Sequence, residues 1–268
     1  MIDGGRELDA EPGRQRRAFL LPREHGAYVE LGFSVTTALA LGRITSTKLL
    51  LTASVVTLFL AHEPLLVLIG ERGKRRLDQT RPRAVATAAL LIGVGGVLGL
   101  WGWWQAPPAS RIAVLLPLAL GGMLMAMILN HREKSAFGEI LVALTFASAL
   151  IPIALAGEAH PVDALTAGAL WAVIFILQTF AVREVRGRRK DQRFRLFSVV
   201  WLSAGVFVIV SLLISLVDWL PGAALLPTIM IAALCGLLRV PPRRLRTVGW
   251  AFAVSDLLSL FAMLAVLR

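Results

Sequence analysis

The polar and apolar positions of this chain are sorted into blocks. Residues 83–104, 111–130 and 194–217 each run about 20 residues with little or no interior charge, the length a helix needs to cross ~30 Å of hydrocarbon. Outer-membrane strands are about 10 residues long and alternate; these blocks do neither. Along the whole chain the blocks predict nine spans, near 26–42, 47–70, 83–104, 111–130, 136–156, 162–182, 194–217, 220–238 and 247–267. The expected fold is an all-α polytopic membrane bundle forming one domain over 23–268. Glu30 interrupts the first block, and Pro64 must kink or break the second near its end. Residues 1–22 are polar, with no apolar h-region after their basic part, and read as a disordered cytoplasmic tail.

Charge tests this layout independently. Cytoplasmic loops carry an excess of Lys and Arg, and nine spans place 24 of the 28 basic residues on one side. Only Arg43, Lys48, Arg111 and Arg268 fall on the other. A missed span would scramble the alternation downstream, and it is not scrambled. The N-terminus is therefore expected inside and the C-terminus outside. Trp101, Trp103, Trp104 and Trp219 fall at expected outer ends, as an interfacial aromatic belt would.

Composition agrees: 57% of residues are hydrophobic, 17% charged, and the mean hydropathy is +0.73, against about 25% charged in soluble domains. The net charge of +11 resides in short loops between apolar blocks, which points away from nucleic acid. The single cysteine, Cys235, excludes an intrachain disulfide or a cysteine metal cage.

Ionisable groups inside spans are costly and mark candidate sites. Arg23, Glu24, His25 and Glu30 lie at the inner start of the first span, and His62 and Glu63 in the inner half of the second. Asn130, His131 and Lys134 follow the fourth, Glu139 opens the fifth, and Gln178, Arg183, Glu184 and Arg186 close the sixth. Only Asp256 falls near mid-membrane. Together these residues predict a polar, net basic cavity facing the cytoplasm, suited to an anion with an apolar tail. Arg and Lys would hold its phosphate or carboxylate through charge-assisted hydrogen bonds.

Two inside loops resemble each other: ERGKRRLDQTRPR at 71–83 and EVRGRRKDQRFR at 184–195. Each has two carboxylates seven residues apart, Glu71 and Asp78, Glu184 and Asp191, which would share a face if helical. Either the chain contains a structural repeat, or two basic loops have converged in composition.

LPREHGAYVELG at 21–32, FLAHEPLLVLIGERG at 59–73 and AVREVRGRRKD at 181–191 resemble the YwiC-like family of bacterial membrane proteins, which implies the bacterial inner membrane. More distantly, the layout resembles the UbiA superfamily of intramembrane prenyltransferases. That likeness rests on DQTRPRA at 78–84, on Lys134 after the fourth span, and on a fifth span entered through Gly138-Glu139 and reaching Pro152. UbiA enzymes hold an allylic diphosphate through magnesium and Arg/Lys. Their aspartate-rich motifs, NDxxDxxxD and DxxxD, are replaced here by Glu63, Glu71 and Asp78 at wide spacing, and by Glu184 and Asp191 alone.

The resemblance thus implies a UbiA-like protein acting on or binding an isoprenoid or related amphiphilic anion among membrane lipids. Arg23, Glu24, His25, Arg72, Asn130, Lys134, Gln178, Arg183 and Arg186 would bind it. His62, Glu63, Glu139 and Glu184 would do the proton or metal work, with magnesium (Mg2+) as the cofactor the superfamily would bring. A transporter or lipid-scrambling component is the alternative, supported by Asp256 and the loop resemblance.

Overall fold

The computed structural model describes residues 25–132, 134–187, 197–217 and 219–267. The tail, Arg23, Glu24 and Asp191 lie outside the described residues. Within them the chain forms α1 (His25–Ala40), α2 (Ser46–Leu60), α3 (His62–Leu68), α4 (Lys74–Gln105), α5 (Pro108–Ala113) and α6 (Leu115–Leu129). These are followed by α7 (Ala136–Ala156), α8 (Pro161–Gly187), α9 (Phe197–Val217), α10 (Leu226–Leu237) and α11 (Leu245–Val266), with two 3-10 turns and no strand among the described residues.

Eight helical segments are long and apolar enough to cross a membrane, with α2–α3 and α5–α6 each counting as one. They coincide with eight of the nine expected blocks, and the chain is a polytopic helical membrane protein. The ninth block is α1, whose 16 residues span only about 24 Å.

Pro64 accounts for the joint between α2 and α3. It has no N–H to give Leu60, and its ring crowds that carbonyl, so the helix breaks at Ala61 and restarts at His62. The segment 71–83 is not simply the loop that hydropathy implies. From Lys74 onward it is the first part of α4, whose 32 residues reach about 48 Å, well past a hydrocarbon core. Lys and Arg favour helix, so the helix continues beyond its apolar block. Glu71 stays in the preceding turn, and the shared helical face expected for Glu71 and Asp78 does not exist.

The core lies on α7 and α8. Of the most apolar window, 67% is buried in α7 but only 6% in α5–α6, so α7 is central and α6 peripheral. Trp171 and Phe175 of α8 are fully buried and stacked at 5.1 Å. Trp171 Nε1 donates to Thr37 Oγ1 of α1 at 2.8 Å, so its polar edge is satisfied inside the core. The α2–α4 contact is closer, with Ser54 Oγ donating to the Gly95 carbonyl at 2.7 Å. A Cβ on Gly99 would stand 2.7 Å from that same hydroxyl, the small-residue approach expected where lipid supplies no hydrophobic drive between helices.

Helix alternation defines two ends. At the far end, the Arg43 N–H donates to the Gly157 carbonyl at 2.6 Å and Thr45 Oγ1 to the Ala156 carbonyl at 2.8 Å. Trp101 and Trp104 are exposed there, whereas Trp219 is half-buried against Gly222. Lys48, expected as an outer-side charge, is instead fully buried. Its ammonium donates to the carbonyls of Leu39, Leu41 and Arg43. The opposite end gathers Arg72, Arg76, Lys134, Arg183 and Arg186, and is termed the basic end.

Candidate functional site at the basic end

Glu63 sits one residue into α3, immediately past the Pro64-induced break, and its carboxylate is 0% exposed. The chain then turns through Gly70 and Gly73, whose φ values of 85° and 92° belong to glycine. That reversal returns two arginines to Glu63. Arg72 donates from Nη2 at 2.6 Å and from Nε at 3.2 Å to Oε2, and Arg76 donates from Nη1 at 3.3 Å to Oε1. A buried carboxylate needs such charge-assisted partners on both oxygens.

Glu139 repeats the arrangement from another part of the chain. Ser135 caps α7 by accepting from the Gly138 N–H at 3.0 Å, which fixes Glu139 in the first turn. Arg183 Nη1 donates to its Oε2 at 2.7 Å, and Arg186 Nη1 lies 3.6 Å from Oε1. Arg183 Nη1 also approaches the Lys134 carbonyl at 3.4 Å. Between the two clusters, the His131 ring pairs with the Glu71 carboxylate, joining the α3–α4 turn to the α6–α7 turn. Each cluster holds one carboxylate and two guanidiniums, leaving one positive charge in excess.

Among the residues expected at the site, Glu63, Arg72, Glu139, Lys134, Arg183 and Arg186 are therefore placed in or beside these clusters. His62 is half-buried next to Glu63, and Glu184 is buried on the α8 turn that carries Arg183 and Arg186. Asn130 is exposed and its Nδ2 donates to the Ala126 carbonyl of its own helix at 2.7 Å. Gln178 turns elsewhere, donating to Asp256 of α11. His25 opens α1. Arg76 is not among the residues the sequence singles out: it lies on α4 whereas Arg72 precedes Gly73, so no helical spacing links the two.

Among the described residues no three His, Cys, Asp or Glu side chains are grouped to hold a metal. Both oxygens of Glu63 are engaged by arginine, and both of Glu139 face one. Magnesium requires an octahedral oxygen shell, so this donor set does not fit it. A hollow of about 570 Å³ opens on α4 among Val97, Leu100, Trp101, Trp104 and Gln105, at the far end and away from both clusters.

Neither a curated protein nor a solved structure matches the chain. A family model does match it over residues 21–154, a stretch that includes Glu63, Arg72, Arg76 and Glu139. That match covers half of the chain, and the protein belongs to the YwiC-like protein family.

Proposed function

We propose that the protein binds the anionic head of an isoprenoid or related amphiphile at the basic end, from the cytoplasmic face of a bacterial inner membrane. The observation that carries this reading is the pair of clusters in which one carboxylate is shared by two arginines. Each has one more guanidinium than carboxylate and lies at the basic end of an apolar bundle. Guanidinium pairs match phosphate geometry, and the spans behind the clusters are apolar, as a prenyl tail requires.

If the UbiA resemblance extends to chemistry, the reaction is prenyl transfer. The C–O bond to the head breaks, the head leaves with the electron pair, and the cation bonds to an acceptor that gives up a proton. Arg72, Arg76, Arg183 and Arg186 would neutralise the leaving head, and Glu184 would take the proton. Arginine would then do what magnesium does in that superfamily.

The test is thermal stabilisation of protein in nanodiscs by a prenyl diphosphate, with inorganic diphosphate and the uncharged prenyl alcohol as comparisons. The diphosphate ester should stabilise most, without magnesium, and Arg183→Ala should reduce the shift. No response with or without magnesium counts against the reading. A transporter or lipid scrambler is the second reading, favoured by the Gln178–Asp256 contact inside the bundle. Its signature is flux in proteoliposomes that is lost in Asp256→Asn but kept in Glu63→Gln.

A further inference from the structure

Asp256 is the twelfth of the 22 residues of α11 and is 0% exposed. Its Oδ1 accepts from Gln178 Nε2 of α8, while Oδ2 is buried with no hydrogen-bond partner. The surroundings are hydroxyl-rich. Ser255 Oγ pairs with Thr228 Oγ1 of α10 at 3.2 Å and donates to the Phe252 carbonyl at 2.8 Å. Ser259, three residues on and on the same side of the helix, is fully buried with its Oγ unpartnered.

No cation balances Asp256, which makes no ion pair among the described residues. The elements packed against α11 explain why. Of these, α10 brings one titratable side chain, Cys235, and the turn over 220–225 brings none. In α1, His25, Tyr28 and Glu30 all fall in the first two turns. In α8, Asp163 is in the first turn, and Arg183, Glu184 and Arg186 are in the last two. Arg243, Arg244 and Arg246 stand at the start of α11, at least ten residues or about 15 Å along the axis from Asp256.

A lone carboxylate in such a place carries a desolvation cost with nothing to offset it. The acid form needs only an acceptor for one O–H, and the unpartnered Ser259 hydroxyl lies on the same side of α11. We propose that Asp256 and Gln178 form a proton-binding site at the centre of the bundle, with Asp256 held as the neutral acid and releasing its proton reversibly. This site is independent of the arginine clusters.

The experiment is infrared spectroscopy of the full-length protein in lipid, with carboxyl-13C aspartate to identify the bands. A label-sensitive carbonyl band of a neutral carboxylic acid is expected at neutral pH. It should shift in D2O, fall reversibly as pH rises, and be lost in Asp256→Asn. Gln178→Leu should move it, because the carbonyl loses its donor. The folded wild type alone is decisive should a variant fail to fold. Absence of a neutral aspartic-acid band overturns the proposal, as does a band that persists until the protein denatures.

Discussion

Arg72 closes on Glu63 at 2.6 Å across nine residues of chain, and the contact exists because Pro64 ends α2 and two glycines reverse the backbone. The carboxylate is wholly buried and the guanidinium mostly so, so removing the cation strands a charge. Arg72→Met should destabilise the protein by about 3 kcal/mol, the lower part of the range for breaking a buried pair, because Arg76 stays on the other oxygen. Thermal unfolding in detergent measures this. The double variant Glu63→Leu/Arg72→Met should lose less than Arg72→Met alone, since no unpaired carboxylate remains.

A second prediction concerns Lys48 and Gly157. The ammonium of Lys48 serves carbonyls at the C-terminal end of α1, where the macrodipole favours a cation, and Gly157 packs against it. A Cβ on Gly157 would lie 2.6 Å from Nζ and 2.5 Å from the Arg43 carbonyl. Lys48→Met should cost about 2 kcal/mol by orphaning buried acceptors. Gly157→Ala should also destabilise, and more in the Lys48 protein than in Lys48→Met, where the contact with the ammonium is gone while those with the Arg43 carbonyl and the side-chain stem persist. A two-by-two stability comparison reads this coupling.

The two cases show what was legible in the sequence. Block length and charge alternation require only composition along the chain, so eight spans and the gathering of Arg72, Lys134, Arg183 and Glu139 at one end could be read directly. The break at Ala61 was legible because proline acts on its own helix. Partners distant in sequence were not. Lys48 looks like an interfacial charge until the carbonyls of Leu39, Leu41 and Arg43 and the backbone at Gly157 close around it. Gln178 looks like a member of the basic end, yet it turns toward Asp256, because the facing of a residue on an almost uniformly apolar helix has no periodic signal. Glu71 and Asp78 share a face only if a helix begins before Glu71, and Gly73 prevents that.

The Glu139 cluster should behave differently from Glu63. Arg183 and Glu139 are each between a quarter and a third exposed, so water screens them. Arg183→Ala should destabilise by no more than about 1 kcal/mol. That loss should shrink further at about 1 M salt, where the Debye length is ~3 Å. The exchange Glu139→Arg/Arg183→Glu should recover part of the stability lost by either reversal alone. Denaturant titrations at low and high salt check both statements.

The orientation of the bundle is tested across a single span. Arg132 and His160 are both exposed and flank α7, one at each of its ends. With nine spans, the 24-to-4 division of basic residues predicts position 132 in the cytoplasm and position 160 outside. Cys235 is the one native cysteine, so a Cys235→Ser background permits single-site labelling. Arg132→Cys should resist a membrane-impermeant maleimide in intact cells and react after permeabilisation. His160→Cys should react in both. The reverse pattern would invert the bundle and move both arginine clusters to the outer face, where a cytoplasmic diphosphate cannot reach them. Equal labelling of both sites in intact cells would mean that α7 does not cross, and would remove the physical basis for treating its first turn as the mouth of a site.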